Sequence, residues 1–351
     1  MSIYNFQPGP SKLPTPVLKK IHSSITEFES TRKSILEISH RSKEFLEILE
    51  KVENNLSSLF DLPNNIQSLL IQGGATYQNT FISSNIEDSK RIACVVNGSW
   101  GRNTYKDFSK IRSSVTKVEL NNFHEIFNNK ELNKYDFVHL TSNETIEGIQ
   151  FKNFNEIKSN NLIIDMSSDI GSYKFNFENI KYIYAGAQKN MGIPGVTICF
   201  VETSFINENQ NPSYLNLKQM IEKKSNLNTP PTFSIYVLKL ITDWMLDMGG
   251  IEFFENKSLD QSRKIYEILE NNNSLVDFNT DETFRSSSNI VFRFKNKEID
   301  KHFLNSAEEN GIIGLKGHRS VGGVRVSLYN SIDYETFNVL QNFMIQYLKS
   351  I

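Results

Sequence analysis

The chain has 351 residues, 38% of them hydrophobic, with 38 basic side chains against 40 acidic ones. That length and apolar content allow a substantial core and two domains. The near-cancelling charge gives no support for binding nucleic acid or a membrane surface through overall electrostatics. The N-terminus lacks a charged segment followed by an apolar one, and no apolar run approaches the roughly 18 residues of a membrane span, so a soluble, unprocessed protein is expected. Cys94 and Cys199 each sit inside an apolar run, which speaks for a reducing cytoplasm and against a disulfide framework or a cysteine zinc site.

Pro8, Gly9, Pro10, Pro14 and Pro16 make the first residues an extended arm. Val17, Leu18, Ile21, Ile25 and Phe28 follow at helical spacing, with Pro16 suited to a first helical turn. His40 and Arg41 precede a long amphipathic helix running to about Leu59. Such a pair alone reads first as solvated residues at a helix start; the other reading is anion capture, because arginine offers a planar fork of donors. Ser68–Ile71 reads as a buried strand, followed by Gly73-Gly74-Ala75-Thr76 and a helix to about Asn85. This turn can cradle a phosphate through the amides of Ala75 and Thr76, although a bare Gly-Gly turn is common. It has neither dinucleotide nor P-loop spacing.

Arg91–Val96 is a further strand, ending at Asn97-Gly98-Ser99-Trp100; the tryptophan suits either a core position or a flat ring. Asp136–Leu140 leads to Asn143-Glu144-Thr145, and Leu162–Asp165 to Met166-Ser167-Ser168. Strands alternating with helices argue for an α/β layer with a mostly parallel sheet and ligands at the carboxyl ends of its strands. Tyr182 opens a strand that runs into Gln188, Lys189 and a glycine-broken turn, and Val196–Val201 is another strand. The chain loosens from Asn207 to Asn211; Asn228, Thr229, Pro230 and Pro231 then enter a helix to about Met248. After Gly249-Gly250, a candidate hinge, come a helix at 251–271, strands at 290–294 and 324–328, and helices near 298–310 and 333–350, a smaller α+β unit. Lys316, His318, Arg319 and Arg325 fall close together beside several glycines and suggest an anionic ligand.

Lys189 is the residue around which these pieces cohere. Its neighbours are small or polar; the segment by itself suits an ordinary loop lysine as well as one that forms a Schiff base, for which pyridoxal phosphate is a frequent partner. Asp165, closing an apolar strand, is the candidate carboxylate for a protonated pyridine nitrogen. Aspartate also starts turns routinely, so Lys189 is what tips the reading.

The strings GPSKLP, SHRSKEF, GGAT, NGSW, NETIEGI, IIDMSSD, YAGAQKN, NTPPTF and KGHRSVGGVRVSLYN resemble those of the phosphoserine aminotransferase family, in this order and over nearly the whole chain. The resemblance implies the fold type I architecture of pyridoxal phosphate (PLP) enzymes. A large α/β domain at 16–250 carries a mostly parallel seven-stranded sheet. A small α+β domain occupies 251–351 with the arm 1–15 near it, and a homodimer has active sites at its interface. It implies one PLP per subunit, with Lys189 as the Schiff-base lysine, Asp165 at the ring nitrogen and Trp100 stacked on the ring. Ala75, Thr76 and Gln188 would hold the cofactor, Thr145 its phenolic oxygen, and Asn228 and Thr229 its phosphate from the other subunit. Arg325 would clamp the substrate α-carboxylate, and His40, Arg41, His318 and Arg319 would receive the distal anion. The implied reaction is transamination between L-glutamate and 3-phosphohydroxypyruvate in serine biosynthesis, with 4-phosphohydroxy-L-threonine of vitamin B6 synthesis as a second candidate substrate. Two departures are local: the region between Val118 and Tyr135 is short beside many relatives, and the GGAT turn differs from the glycine-arginine version some members carry. Rival readings are another transaminase of this fold, a cysteine desulfurase, which needs an exposed loop cysteine, or a binding protein without turnover.

Overall fold

The computed structural model describes residues 2–120, 122–159, 161–207, 210–279 and 281–351. Residue 121 of the short region and residues 208 and 209 of the loosened stretch lie outside them. Apolar runs build a seven-stranded sheet in the spatial order Ile66–Gln72, Val196–Glu202, Ile180–Gly186, Leu162–Asp165, Phe137–Thr141, Ile92–Val96, Val115–Glu119. From Ile180–Gly186 outward to Val115–Glu119 all pairs are parallel; Val196–Glu202 runs antiparallel to both of its neighbours. The central strands are buried on both faces, which is why they read as continuous hydrophobic runs and not as alternating ones. The edge strand Val115–Glu119 exposes Lys117 and Glu119, charges that discourage pairing with another chain.

Helices cover the sheet where their apolar stripes demand it. Lys43–Phe60 starts at Ser42, whose side chain accepts from Phe45 N–H, and buries Phe45, Ile48, Val52, Leu56 and Leu59 at three- and four-residue spacing. That stripe packs on the helix Thr232–Asp247, and Asn55 ties the pair by donating to Thr242 (3.0 Å) and Asp243 (2.7 Å). Burying each such apolar side chain contributes roughly 1.5 to 3 kcal/mol relative to leaving it in water. Thr232–Asp247 buries residues all round because it lies inside this layer. Among the described residues no helix is long and apolar enough to cross a membrane.

A second apolar cluster forms around a three-stranded antiparallel sheet of Val276–Phe278, Asn289–Phe294 and Val324–Ser327. Phe294, Phe303 and Tyr347 fill it with ring centroids 4.9 to 6.1 Å apart. The helix Gly250–Glu270 belongs to both clusters: Ile251 and Phe254 pack with the large sheet, Ile265 and Leu269 with the small one. The N-terminal arm joins the small sheet's side. Tyr4–Asn5 pairs in parallel with Ile312–Ile313, and Phe6 is fully buried in the second cluster.

This topology gathers the chemistry at one edge. The parallel strands end at Val96, Thr141, Asp165 and Gly186, and Gln72 ends its strand on the same side, so the loops after them carry Ala75, Trp100, Thr145, Ser167 and Lys189.

Candidate active site

A cavity of about 300 Å³ opens at this edge, lined by Ala75, Thr76, Asn79, Trp100, Thr104 and Asp165 and extending along the helix Ser99–Ile111. Trp100 lies in that helix's first turn. Its indole N–H donates to the Thr145 hydroxyl at 2.9 Å, while 38% of the residue stays exposed and it lines the cavity. Ala75 and Thr76 begin the helix Ala75–Ser84, whose N-cap is Gly74; no side chain caps it, so its first amides remain available to an anion.

Asp165 and Lys189 share this edge. Asp165 Oδ1 accepts from the backbone N–H (2.9 Å) and hydroxyl (2.6 Å) of Ser167; among the described residues Oδ2 takes no hydrogen bond. Burial pushes this carboxyl's pKa up, opposed by the Ser167 bonds and then by Lys189. Lys189 is half-buried by surface area, yet protein surrounds it densely enough that burial pulls its pKa down, with Asp165 the strongest opposing charge. Its amine has no hydrogen-bond partner among the described residues. The N-terminal arm seats it: Ser11 donates its N–H to Gln188 O at 2.9 Å and its hydroxyl to Lys189 O, and Gly9 lies against the lysine stem.

The cationic candidates divide. Arg325 is buried, donates to Thr145 O at 3.3 Å and leaves its Nε unpartnered; burial pulls its pKa down. Among the described residues no carboxylate pairs with it, so a guanidinium taken out of water here calls for an anionic ligand. Lys316, Arg319 and the half-buried His318 stand instead on the exposed arch of the same hairpin, where His318 Nδ1 meets Ser320 Oγ at 2.7 Å. The sequence cluster of four is thus one inward arginine and three outward groups. His40 and Arg41 sit on another surface, beside the Asn228 segment: Asn226 donates to His40 O (3.0 Å) and Asn228 to Gln72 Oε1 (3.4 Å). Thr229 follows on that segment. No contact within one chain joins these residues to His318 and Arg319 among the described residues.

These features fit pyridoxal phosphate on physical grounds. An open carboxylate oxygen suits a protonated ring nitrogen, a partly exposed indole lining the cavity suits a flat ring, and an uncapped helix start suits a phosphate.

Two groups of buried polar residues escaped the sequence reading. Glu144 Oε2 accepts from Trp100 N–H at 2.9 Å and Oε1 from Gly101 N–H at 2.8 Å, while Glu147 Oε1 accepts from the N–H and hydroxyl of Ser99 at 2.9 and 2.6 Å. Burial pushes the Glu144 carboxyl up despite those two N–H bonds. Beneath Asp165, Asp169 accepts from Ser142 (2.6 Å), Gln150 (2.9 Å) and Tyr173 (3.2 Å), and burial takes its pKa up to about 6. The sequence signal for both was an acidic residue inside a stretch otherwise suited to burial.

The fold and this edge define a class before they define a substrate: the family model for aminotransferase class V matches residues 3–340, and the chain belongs to that family. Within it, the chain is 37% identical to phosphoserine aminotransferase of Alkalihalobacillus alcalophilus, covering 98% of each. It superposes with TM-score 0.93 on a solved phosphoserine aminotransferase studied for radiation damage of its Schiff base, at 35% identity and 100% coverage of both chains. A PLP-bound phosphoserine aminotransferase from Trichomonas vaginalis gives TM-score 0.89 at 25% identity, covering 98% of this chain and 100% of that one.

Proposed function

We propose that this chain is a pyridoxal phosphate-dependent phosphoserine aminotransferase of serine biosynthesis, moving the amino group of L-glutamate to 3-phosphohydroxypyruvate to give O-phospho-L-serine and 2-oxoglutarate. The observation that carries it is electrostatic: Asp165 and Arg325, both buried, each leave an atom unpartnered beside Lys189. One charge awaits a cation and the other an anion, as a cofactor nitrogen and a substrate carboxylate would supply.

When bound, pyridoxal phosphate supplies the carbonyl that takes the amino group and the ring that accepts electrons from the substrate α-carbon. Lys189 is its covalent attachment point. Once free, the Lys189 amine carries the proton to and from the substrate α-carbon, a task helped by burial, which favours the neutral form. Asp165 keeps the ring nitrogen protonated. Trp100 would stack on the ring, and the amides of Ala75 and Thr76, with Gln188, would hold the cofactor from this chain. Thr145 offers its hydroxyl to the phenolic oxygen. Arg325 takes the α-carboxylate common to both substrates.

A second copy of the chain completes the site. Asn228 and Thr229 reach the phosphate of the partner's cofactor, and His40 and Arg41 meet His318 and Arg319 across the interface to receive either distal anion. Forked arginines with imidazole N–H donors suit both a carboxylate and a phosphate. Under this reading the units are 16–250 and 251–351, with the arm 1–15 on the second. A reducing, cytoplasmic setting agrees with two fully buried free thiols. That burial also disfavours a cysteine desulfurase: the Cys94 and Cys199 thiols are unexposed and their pKa values pushed up.

With glutamate as donor, 3-phosphohydroxypyruvate should be turned over at least 100-fold more efficiently (kcat/KM) than hydroxypyruvate, given roughly 3 kcal/mol from phosphate contacts. Equal use of the two would remove the proposed substrate while leaving the class intact. The 2-oxo acid whose amination gives 4-phosphohydroxy-L-threonine belongs in the same assay, because its phosphate would occupy the same pocket.

A further inference from the structure

Gly98, the N-cap of the helix Ser99–Ile111, has no side chain to satisfy the first amides, and the carboxylate that does so comes from a separate loop. Glu144 reaches across and takes the N–H groups of Trp100 and Gly101, one on each oxygen, at 2.9 and 2.8 Å. The approach is close enough that a β-carbon on Gly98 would collide with the Glu144 carboxyl group. The next residue, Thr145, takes the indole N–H of the same tryptophan at 2.9 Å. Trp100 is therefore held at both ends, main chain by Glu144 and ring by Thr145, from one short hairpin whose strands are Asn143–Glu144 and Ile149–Gln150.

We propose that Glu144 is a positioning residue that sets the plane of the Trp100 ring over the cofactor, and that the same clamp orients the Thr145 hydroxyl. The indole N–H is a donor only, so Thr145 Oγ1 must accept from it and keeps its single hydrogen for another partner. With Arg325 donating to Thr145 O at 3.3 Å, the hydroxyl is oriented as a donor and the residue's main chain is fixed. Glu144 acts through Trp100 and need not touch the cofactor. A ring tilted by loss of the clamp would keep its area but lose face-to-face contact with a flat ligand.

The inference rests on the reading of Trp100 as the cofactor's ring partner, and the experiment separates the two. Pyridoxal phosphate is titrated into the apo-protein of wild type, Glu144→Gln, Trp100→Phe and the double variant, read by affinity and by visible circular dichroism of the bound cofactor. Glu144→Gln is expected to weaken binding about 10-fold and to reduce the dichroism when Trp100 is present, but to weaken it less than twofold in the Trp100→Phe background. An equal loss in both backgrounds, or no loss in either, overturns the inference. If Trp100→Phe alone changes neither readout, the ring-partner reading falls and takes the inference with it. A cofactor-free measurement tests the clamp separately: with Trp244→Phe as host, Glu144→Gln should red-shift Trp100 emission in the apo-protein, and an unmoved spectrum counts against the clamp. Should Glu144→Gln not fold, Glu144→Asp, one methylene shorter, is put through the same cycle with the same criteria.

Discussion

Asn330 donates its backbone N–H to the side-chain oxygen of Asn190 at 3.0 Å, tying the segment after Arg325 to the residue after Lys189. The two amides also donate to neighbouring carbonyls, Asn190 to Ile170 (2.9 Å) and Asn330 to Gly171 (2.8 Å). Lys257 donates from below to the carbonyls of Asn330 (2.5 Å) and Ile332 (3.1 Å). The spacing between amine and guanidinium is thus set by buried polar bonds.

Asn190→Ala would leave the Asn330 N–H and the Ile170 carbonyl unpaired in the interior, at a cost of about 2 to 4 kcal/mol. Urea titration should show that loss. Steady-state assays should show a raised KM for both substrates, because Arg325 is no longer held against Lys189.

Arg325→Gln should lower kcat/KM for glutamate and for the phosphorylated keto acid by the same factor, roughly 30 to 1,000, since the α-carboxylate is common to both. Arg319→Gln should instead change the ratio between the two substrates. If Arg325→Gln discriminates strongly between them, its assignment to the shared carboxylate is wrong.

Gly9 has φ +139°, and a β-carbon there would lie 3.4 Å from Lys189 Cγ and 3.7 Å from Cε. Gly9→Ala combines backbone strain of about 1 to 3 kcal/mol with pressure on the lysine stem. It should slow turnover several-fold while substrate KM stays within about twofold; unchanged kcat would show that the arm does not position the amine.

Burial raises the Asp169 carboxyl from 3.8 to about 6. Between those values the folded protein holds a proton that the unfolded chain has released. The group's contribution to stability is therefore full below pH 3.8 and is lost as pH rises through 6. Measured against Asp169→Asn, the wild type should lose about 2 to 3 kcal/mol between pH 4 and pH 7. Denaturant titrations of both apo-proteins check the slope, and a difference that grows with pH contradicts it.

The elements legible in the sequence were those whose signal is local. Leu162–Asp165 announced itself as an apolar run stopped by an acid, and Lys43–Phe60 by its stripe and its serine cap. Val115–Glu119 did not, because an edge strand alternates with lysine and glutamate and resembles a loop. The pairing of Tyr4–Asn5 with Ile312–Ile313 has no local signal at all, its partners being some three hundred residues apart. The site followed the same rule. Asp165, Lys189 and Trp100 were visible from their positions at strand ends. Glu144 was not, since its meaning lies in a helix start that comes 44 residues earlier, and the splitting of Arg325 from Lys316, His318 and Arg319 depended on how a hairpin turns.

The arm that seats Lys189 has a consequence for biosynthesis. Its residues precede the large sheet in the chain, yet their anchors include Ile312, Ile313 and Asp333, the last held by Lys12 at 2.7 Å. A nascent chain can form most of its large sheet while this strap still hangs free. The reactive amine therefore acquires its final setting only once the segment carrying Ile312, Ile313 and Asp333 has been made, and a growing polypeptide is spared a primed nucleophile until the enzyme around it exists.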